Sequence, residues 1–69
     1  MTNEDIVRMA NQIAAFFSAY PHDEAVSGVS GHIKDFWEPR MKKALKAYVA
    51  EGGKGLEPLV VEAVGNLPK

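Results

Sequence analysis

The chain has 69 residues, no cysteine, a formal net charge of −1 at pH 7 and 46 % hydrophobic residues. That length fits one domain, residues 1–69, with a marginal core that buries only about 60 % of the unfolded surface; without cysteine, neither a disulfide nor a thiolate–metal site can staple it. The composition suits a folded domain rather than a disordered one, the near-neutral charge removes the bulk electrostatic case for nucleic acid, and a partner protein becomes a candidate source of stability.

The opening MTNEDIVRMANQ is acidic and polar, with no basic region and no long apolar run. It does not read as a signal peptide, and no stretch is long enough to span a membrane. The lack of cysteine fits a cytoplasmic protein. Thr2 or Asn3 can cap a first helix whose opening turn carries Glu4 and Asp5, where negative charge suits the helix dipole. Ile6, Met9, Ala10, Ile13, Phe16, Phe17 and Tyr20 recur at helical spacing and fill one broad arc. Arg8, Asn11, Gln12, Ala15 and Ala19 fall opposite it. Pro21 ends this helix at or just before Tyr20.

Asp23 is a reasonable cap for a second helix, whose apolar set is Val26, Val29, Ile33, Phe36 and Trp37. Gly28 and Gly31 weaken it by roughly 1 kcal/mol each against alanine. Both glycines lie off the apolar arc, where they either let another backbone approach closely or simply loosen the helix. The stretch His32–Met41, HIKDFWEPRM, is the junction that organises the chain. It joins a Phe-Trp pair, the largest apolar payload, to a proline that breaks one helix and can open the next.

The third helix is expected from Pro39 to Glu51, with Met41, Ala44, Leu45 and Tyr48 as its buried stripe and Lys42, Lys43 and Lys46 on the other side. Gly52-Gly53 stops it, one glycine taking the left-handed conformation past the helix end. Pro58 then opens a fourth helix with Leu59, Val60, Ala63, Val64 and Leu67 on one arc and Val61 exposed; Gly65 and Pro68 limit its run. The fold class is therefore all-α: a small compact domain of about four short helices. Connections of a few residues predict that sequential helices are neighbours.

No catalytic constellation is present. His22 and His32 lack metal-ligand spacing; His22 reads as part of a polar helix start, and His32 as a surface partner of Asp35. Gly52-Gly53-Lys54-Gly55 lacks the spacing and the preceding strand of a phosphate loop. Serines 18, 27 and 30 stand in no nucleophile motif. The lysines of the third helix read as a solvated face, or secondarily as a dock for an acidic protein surface. Arg40 stands apart, placed to stack on Trp37 or fork onto a carboxylate.

The strings Arg8-Met9-Ala10-Asn11-Gln12-Ile13 with Phe16-Phe17, His32-Ile33 with Phe36-Trp37, Pro39-Arg40-Met41, and Gly53 with Gly55-Leu56 and Pro58-Leu59-Val60 resemble the delta subunit of NAD-dependent formate dehydrogenase. The resemblance covers nearly the whole chain. Glu38 stands where many family members carry Asp, a departure that keeps the charge.

The resemblance implies a non-catalytic accessory subunit that carries no cofactor of its own. It accompanies a cytoplasmic molybdenum- or tungsten-dependent enzyme whose large subunits hold the bis-molybdopterin guanine dinucleotide centre, iron–sulfur clusters and flavin. The implied partner is the catalytic alpha subunit, with a molybdenum cofactor insertion chaperone as a second candidate, and the implied role is cofactor insertion, assembly or stability. No catalytic residues carry over.

The expected partner-binding residues are Arg8, Asn11 and Gln12 on the first helix, and Trp37 and Arg40 at the junction. The first three match the family strings yet lie opposite the apolar arc, where a purely structural role does not demand them. Trp37 has an alternative role as the core plug. The exposed Val61 face is the next candidate. The competing classes are an unrelated DNA-binding or antitoxin-like helical module, opposed by the net charge of −1, and a small enzyme, opposed by the missing constellation.

Overall fold

A computed structural model describes residues 2–67. Four helices follow in order: α1 (Asn3–Phe17), α2 (His22–Phe36), α3 (Pro39–Ala50) and α4 (Pro58–Gly65). Among the described residues there is no strand. Pro68, expected to limit the last helix, lies outside the described residues.

Each boundary has a local cause. Thr2 is the cap of α1: its hydroxyl accepts the Asp5 N–H at 3.2 Å, and the Asp5 carboxylate accepts the Thr2 N–H at 3.3 Å. This reciprocal pairing satisfies donors that a helix start leaves orphaned. The helix ends at Phe17, earlier than the Tyr20 limit. The Ser18 hydroxyl donates to the Ala15 carbonyl at 2.7 Å, and the Tyr20 N–H reaches Phe17 in a tight turn. Pro21 biases Tyr20 away from the helical region, so the chain turns before it. Pro21 itself caps α2, leaving Asp23 and Glu24 in the first turn rather than at the cap. Pro39 and Pro58 open α3 and α4 as expected.

The end of α3 is a Schellman arrangement. The Gly53 N–H bonds the Tyr48 carbonyl and the Gly52 N–H bonds the Val49 carbonyl, both at 3.0 Å. Both glycines carry positive φ, which side-chain-bearing residues rarely adopt.

The core gathers Ile6, Ala10 and Ala14 of α1, Val26, Val29 and Ile33 of α2, Trp37, Leu45 of α3, and Val60, Ala63 and Val64 of α4. Helix α2 lies chiefly on α4 and α1, while α1 also carries α3. The expectation that sequential helices are neighbours fails for α2 and α3, which scarcely touch. Trp37 and Glu38 are both extended, carrying the chain away from the end of α2 before α3 begins.

Two further differences concern which apolar residues are covered. Phe16, Tyr20 and Phe36 were expected on buried arcs but are exposed. In α1 the buried seam runs through Ile6, Ala10 and Ala14, turned by roughly 60° from the centre of the apolar arc on a wheel of about 100° per residue. The turn brings small alanines into the contact and leaves Phe16 at the open edge. Phe36 is the last residue of α2, where no following helix returns to cover it.

Candidate partner-binding surface

The turned seam separates the residues expected to bind a partner. Asn11 lies on the edge of α1 that the turn brings inward. Its amide donates to the Gly55 carbonyl at 2.9 Å, and its carbonyl oxygen accepts the Glu57 N–H at 2.9 Å. Glu57 is the N-cap of α4, so Asn11 clamps the loop that launches that helix. An asparagine is required there because one side chain must both donate and accept. This corrects the view that no structural role demands that residue type on this face.

Arg8 and Gln12 are exposed on the other side of α1. The Arg8 guanidinium meets the Asp5 carboxylate at 3.0 Å, with the arginine side chain 64 % exposed. Such a solvated i, i+3 pair is screened by water and adds little to stability. The Asp5 carboxyl is held below its usual value, first by the Thr2 backbone N–H, then by the Thr2 hydroxyl, with a smaller share from Arg8. Trp37 is 7 % exposed and part of the core, as the plug alternative requires. Arg40 is exposed in the first turn of α3. Among the described residues it forms neither an ion pair nor a stack on Trp37.

A groove opens where α1 and α2 diverge. Met9, Gln12, Ile13, Phe16 and Phe17 line one wall, with His32 and Trp37 closing the other side and the floor. Phe17 is fixed because its ring fills the space left by Gly28, where a Cβ would come within 2.4 Å of the ring. So Gly28 admits a side chain rather than a backbone, whereas Gly31 faces open space and fits the looser reading. Phe16 stands edge-on to Phe17 with ring centroids 5.0 Å apart, and Tyr20 adjoins both. The His32 ring packs on Phe36 at 4.9 Å rather than pairing with Asp35. Phe16 is 68 % exposed and Phe36 75 % exposed.

Sequence reasoning missed this aromatic edge. The signal was the breadth of the α1 arc, which exceeds what one helix can bury in a domain this small.

A second, basic cleft lies between α3 and the ends of α2 and α4, lined by Lys34, Lys42, Lys43, Lys46, Val64 and Leu67 among others. Lys42 Nζ donates to the Lys34 carbonyl at 3.0 Å. Lys42 and Lys46 are half-buried, so this face is less solvated than expected. Elsewhere His22 Nε2 approaches Glu62 Oε2 at 2.7 Å, tying the start of α2 to α4. Among the described residues no three His, Asp or Glu side chains gather where a metal ion could sit.

The family model for the NADH-dependent formate dehydrogenase delta subunit, FdsD, matches residues 5–64, a span that contains both the Asn11 clamp and the whole aromatic groove. No curated protein matches the chain.

Proposed function

We propose a function from one premise: the chain belongs to the NADH-dependent formate dehydrogenase delta subunit family. Its partners are other subunits of that enzyme. It acts as a non-catalytic accessory subunit in the cytoplasm, binding the catalytic alpha subunit and supporting cofactor insertion, assembly or stability of that subunit. A cofactor insertion chaperone is a second partner during loading. Gln12, Trp37 and Arg40 belong to its contact region, with Arg8 flanking them, while Asn11 serves the fold. No helix among the described residues is long and apolar enough to cross a membrane.

The observation that carries this reading is the exposure of Phe16 and Phe36 on a chain with so small a core. Large apolar rings left in water on a small domain mark an interaction site more often than an accident of packing. A subunit that covers them gains free energy of burial, and the small chain gains stability by mass action.

Deleting the chain tests the reading. Formate-dependent NAD reduction in cells should fall, and the purified catalytic subunit should hold less molybdenum or tungsten or be less abundant. A deletion strain with fully active and fully loaded enzyme overturns the accessory role. Formate turnover by the purified chain alone overturns its non-catalytic character.

A further inference from the structure

We infer that the aromatic groove between α1 and α2 is where another subunit of the formate dehydrogenase docks, through an uncharged apolar segment that inserts side chains between Phe16 and His32 and covers Phe36, which packs on the His32 ring beside the groove. The inference rests on the proposed function and assigns its contact surface.

The chemistry of the groove selects the occupant. None of its lining residues carries a fixed charge; Gln12 and His32 are its only polar members. A charged side chain entering it would lose water and meet no opposite charge, only Gln12 and His32, so an apolar segment fits better than an acidic or basic one. The basic cleft is the opposite case: it lies on another part of the surface and calls for carboxylates.

Shape and area argue against a second copy of this chain. The groove has a volume of about 510 Å³ and is concave. A two-fold dimer through it would set groove against groove and leave the interior unfilled. Phe16 and Phe36 together present roughly 300 Å² of carbon, since a phenylalanine carries roughly 150–250 Å². That is well short of the ~800 Å² per partner that a stable interface buries. A larger subunit can fill the groove and continue onto the Arg8–Gln12 side of α1.

The floor is already set. Phe17 is held over Gly28, and Trp37 is buried. Little side-chain freedom is left to lose there on binding, so Phe16 and Phe36 can act as anchors within a fixed frame.

The test is co-purification of the tagged full chain with the formate dehydrogenase complex from cells, with affinity measured by titrating the variants. Phe16→Ser and Phe36→Ser change exposed residues, and circular dichroism should show unchanged helix content. Gln12→Glu keeps a good helix former and adds a charge beside the apolar wall. Each should weaken association at least tenfold, about 1.4 kcal/mol at 25 °C, while Val61→Ser on α4 stays within about twofold. A photo-cross-linker at position 36 should label another subunit of the enzyme.

Wild-type-like binding by all three groove variants overturns the inference and leaves the accessory role standing. Loss of binding in Val61→Ser alone places the interface on α4 and also overturns it. A concentration-dependent dimer of the isolated chain that Phe16→Ser dissolves makes a second copy the occupant. A wild-type chain that neither associates with the enzyme nor supports its activity overturns the accessory role and this inference together.

Discussion

The two edges of α1 have opposite fates. On one edge the polar residue, Asn11, is half-buried and engaged by the fold, holding the Gly55–Glu57 loop that leads into α4. On the other edge the largest apolar residue, Phe16, is left in water beside Phe17 and the open groove. Residue type alone would assign these roles the other way round. The deciding factor is the packing of α1 against α2, α3 and α4 together, which places its seam on Ile6, Ala10 and Ala14. Polarity describes what a side chain can do; the neighbours decide whether that capacity is spent inside or remains available.

The largest expected effect is at Trp37 on the floor of the groove. Trp37 belongs to the core, and its burial in a domain this small is a large share of what holds the helices together. Trp37→Ala should cost about 3–5 kcal/mol, close to the whole stability expected for a chain of this size. Thermal unfolding followed by circular dichroism should show no cooperative transition at physiological temperature. A variant that melts like the wild type would mean that Trp37 is a pure interface anchor.

Next in size is the clamp edge. Asn11→Ala leaves the Gly55 carbonyl and the Glu57 N–H without their side-chain partner and should destabilise the chain by about 1–2 kcal/mol. Association with the enzyme, measured below the melting temperature, should remain at the wild-type level. The pair of outcomes sharpens the contrast: Asn11→Ala loses stability and keeps binding, whereas Phe16→Ser keeps stability and loses binding. If Asn11→Ala loses binding without loss of stability, the two edges are not distinct.

Much of this architecture is legible in the chain itself, for identifiable reasons. Pro21, Pro39 and Pro58 and the Gly52-Gly53 pair act through their own backbones, so helix starts and stops are local facts. The apolar spacing gives each helix, and the exposed Val61 was likewise local to its helix. The rotation of α1 was not legible. Its apolar arc is too broad to show which half is covered, and the clamp that marks the answer joins Asn11 to residues 44 and 46 positions away. For the same reason Phe36 read as core: it occupies a core-facing position in α2, but at a helix end that α3 turns away from. The partner-binding reading of Arg8 and Gln12 rests on residue strings, and that of Trp37 and Arg40 on the helix break beside them; neither reveals that a groove lies beside Gln12.

Gly28 offers a smaller test of how the groove keeps its shape. Alanine normally improves a helix interior by roughly 1 kcal/mol over glycine. Here the added methyl meets the Phe17 ring and forces it to move, at a cost of about 1–3 kcal/mol. Gly28→Ala should therefore lower stability by about 1 kcal/mol and shift the aromatic resonances of Phe17, Phe16 and Tyr20. In a Phe17→Ala background the same change should become stabilising. A stabilising Gly28→Ala in the wild-type background would show that the Phe17 ring is not fixed.

The smallest effect lies at the start of α1, at the opposite end from Phe16 and Phe17. The Asp5 carboxylate accepts hydrogen bonds from the Thr2 N–H and the Thr2 hydroxyl and stands beside Arg8, which together lower its pKa beneath the ordinary value of 3.8. A lowered folded-state pKa means that the cap contributes fully above the unfolded value and loses its contribution as pH falls through the folded one. At neutral pH the first turn of α1 is therefore closed, and acid well below pH 3.8 should open it. Because the group is solvent-exposed, the opening is local fraying rather than global unfolding. Carbon-detected titration should place the Asp5 midpoint below 3.8, and the amides at the start of α1 should lose protection with the same midpoint. Phe16 and Phe17 lie about three turns further along α1, so their resonances should not follow that titration. If they do, the helix opens as one unit, and the aromatic edge depends on a cap at its far end.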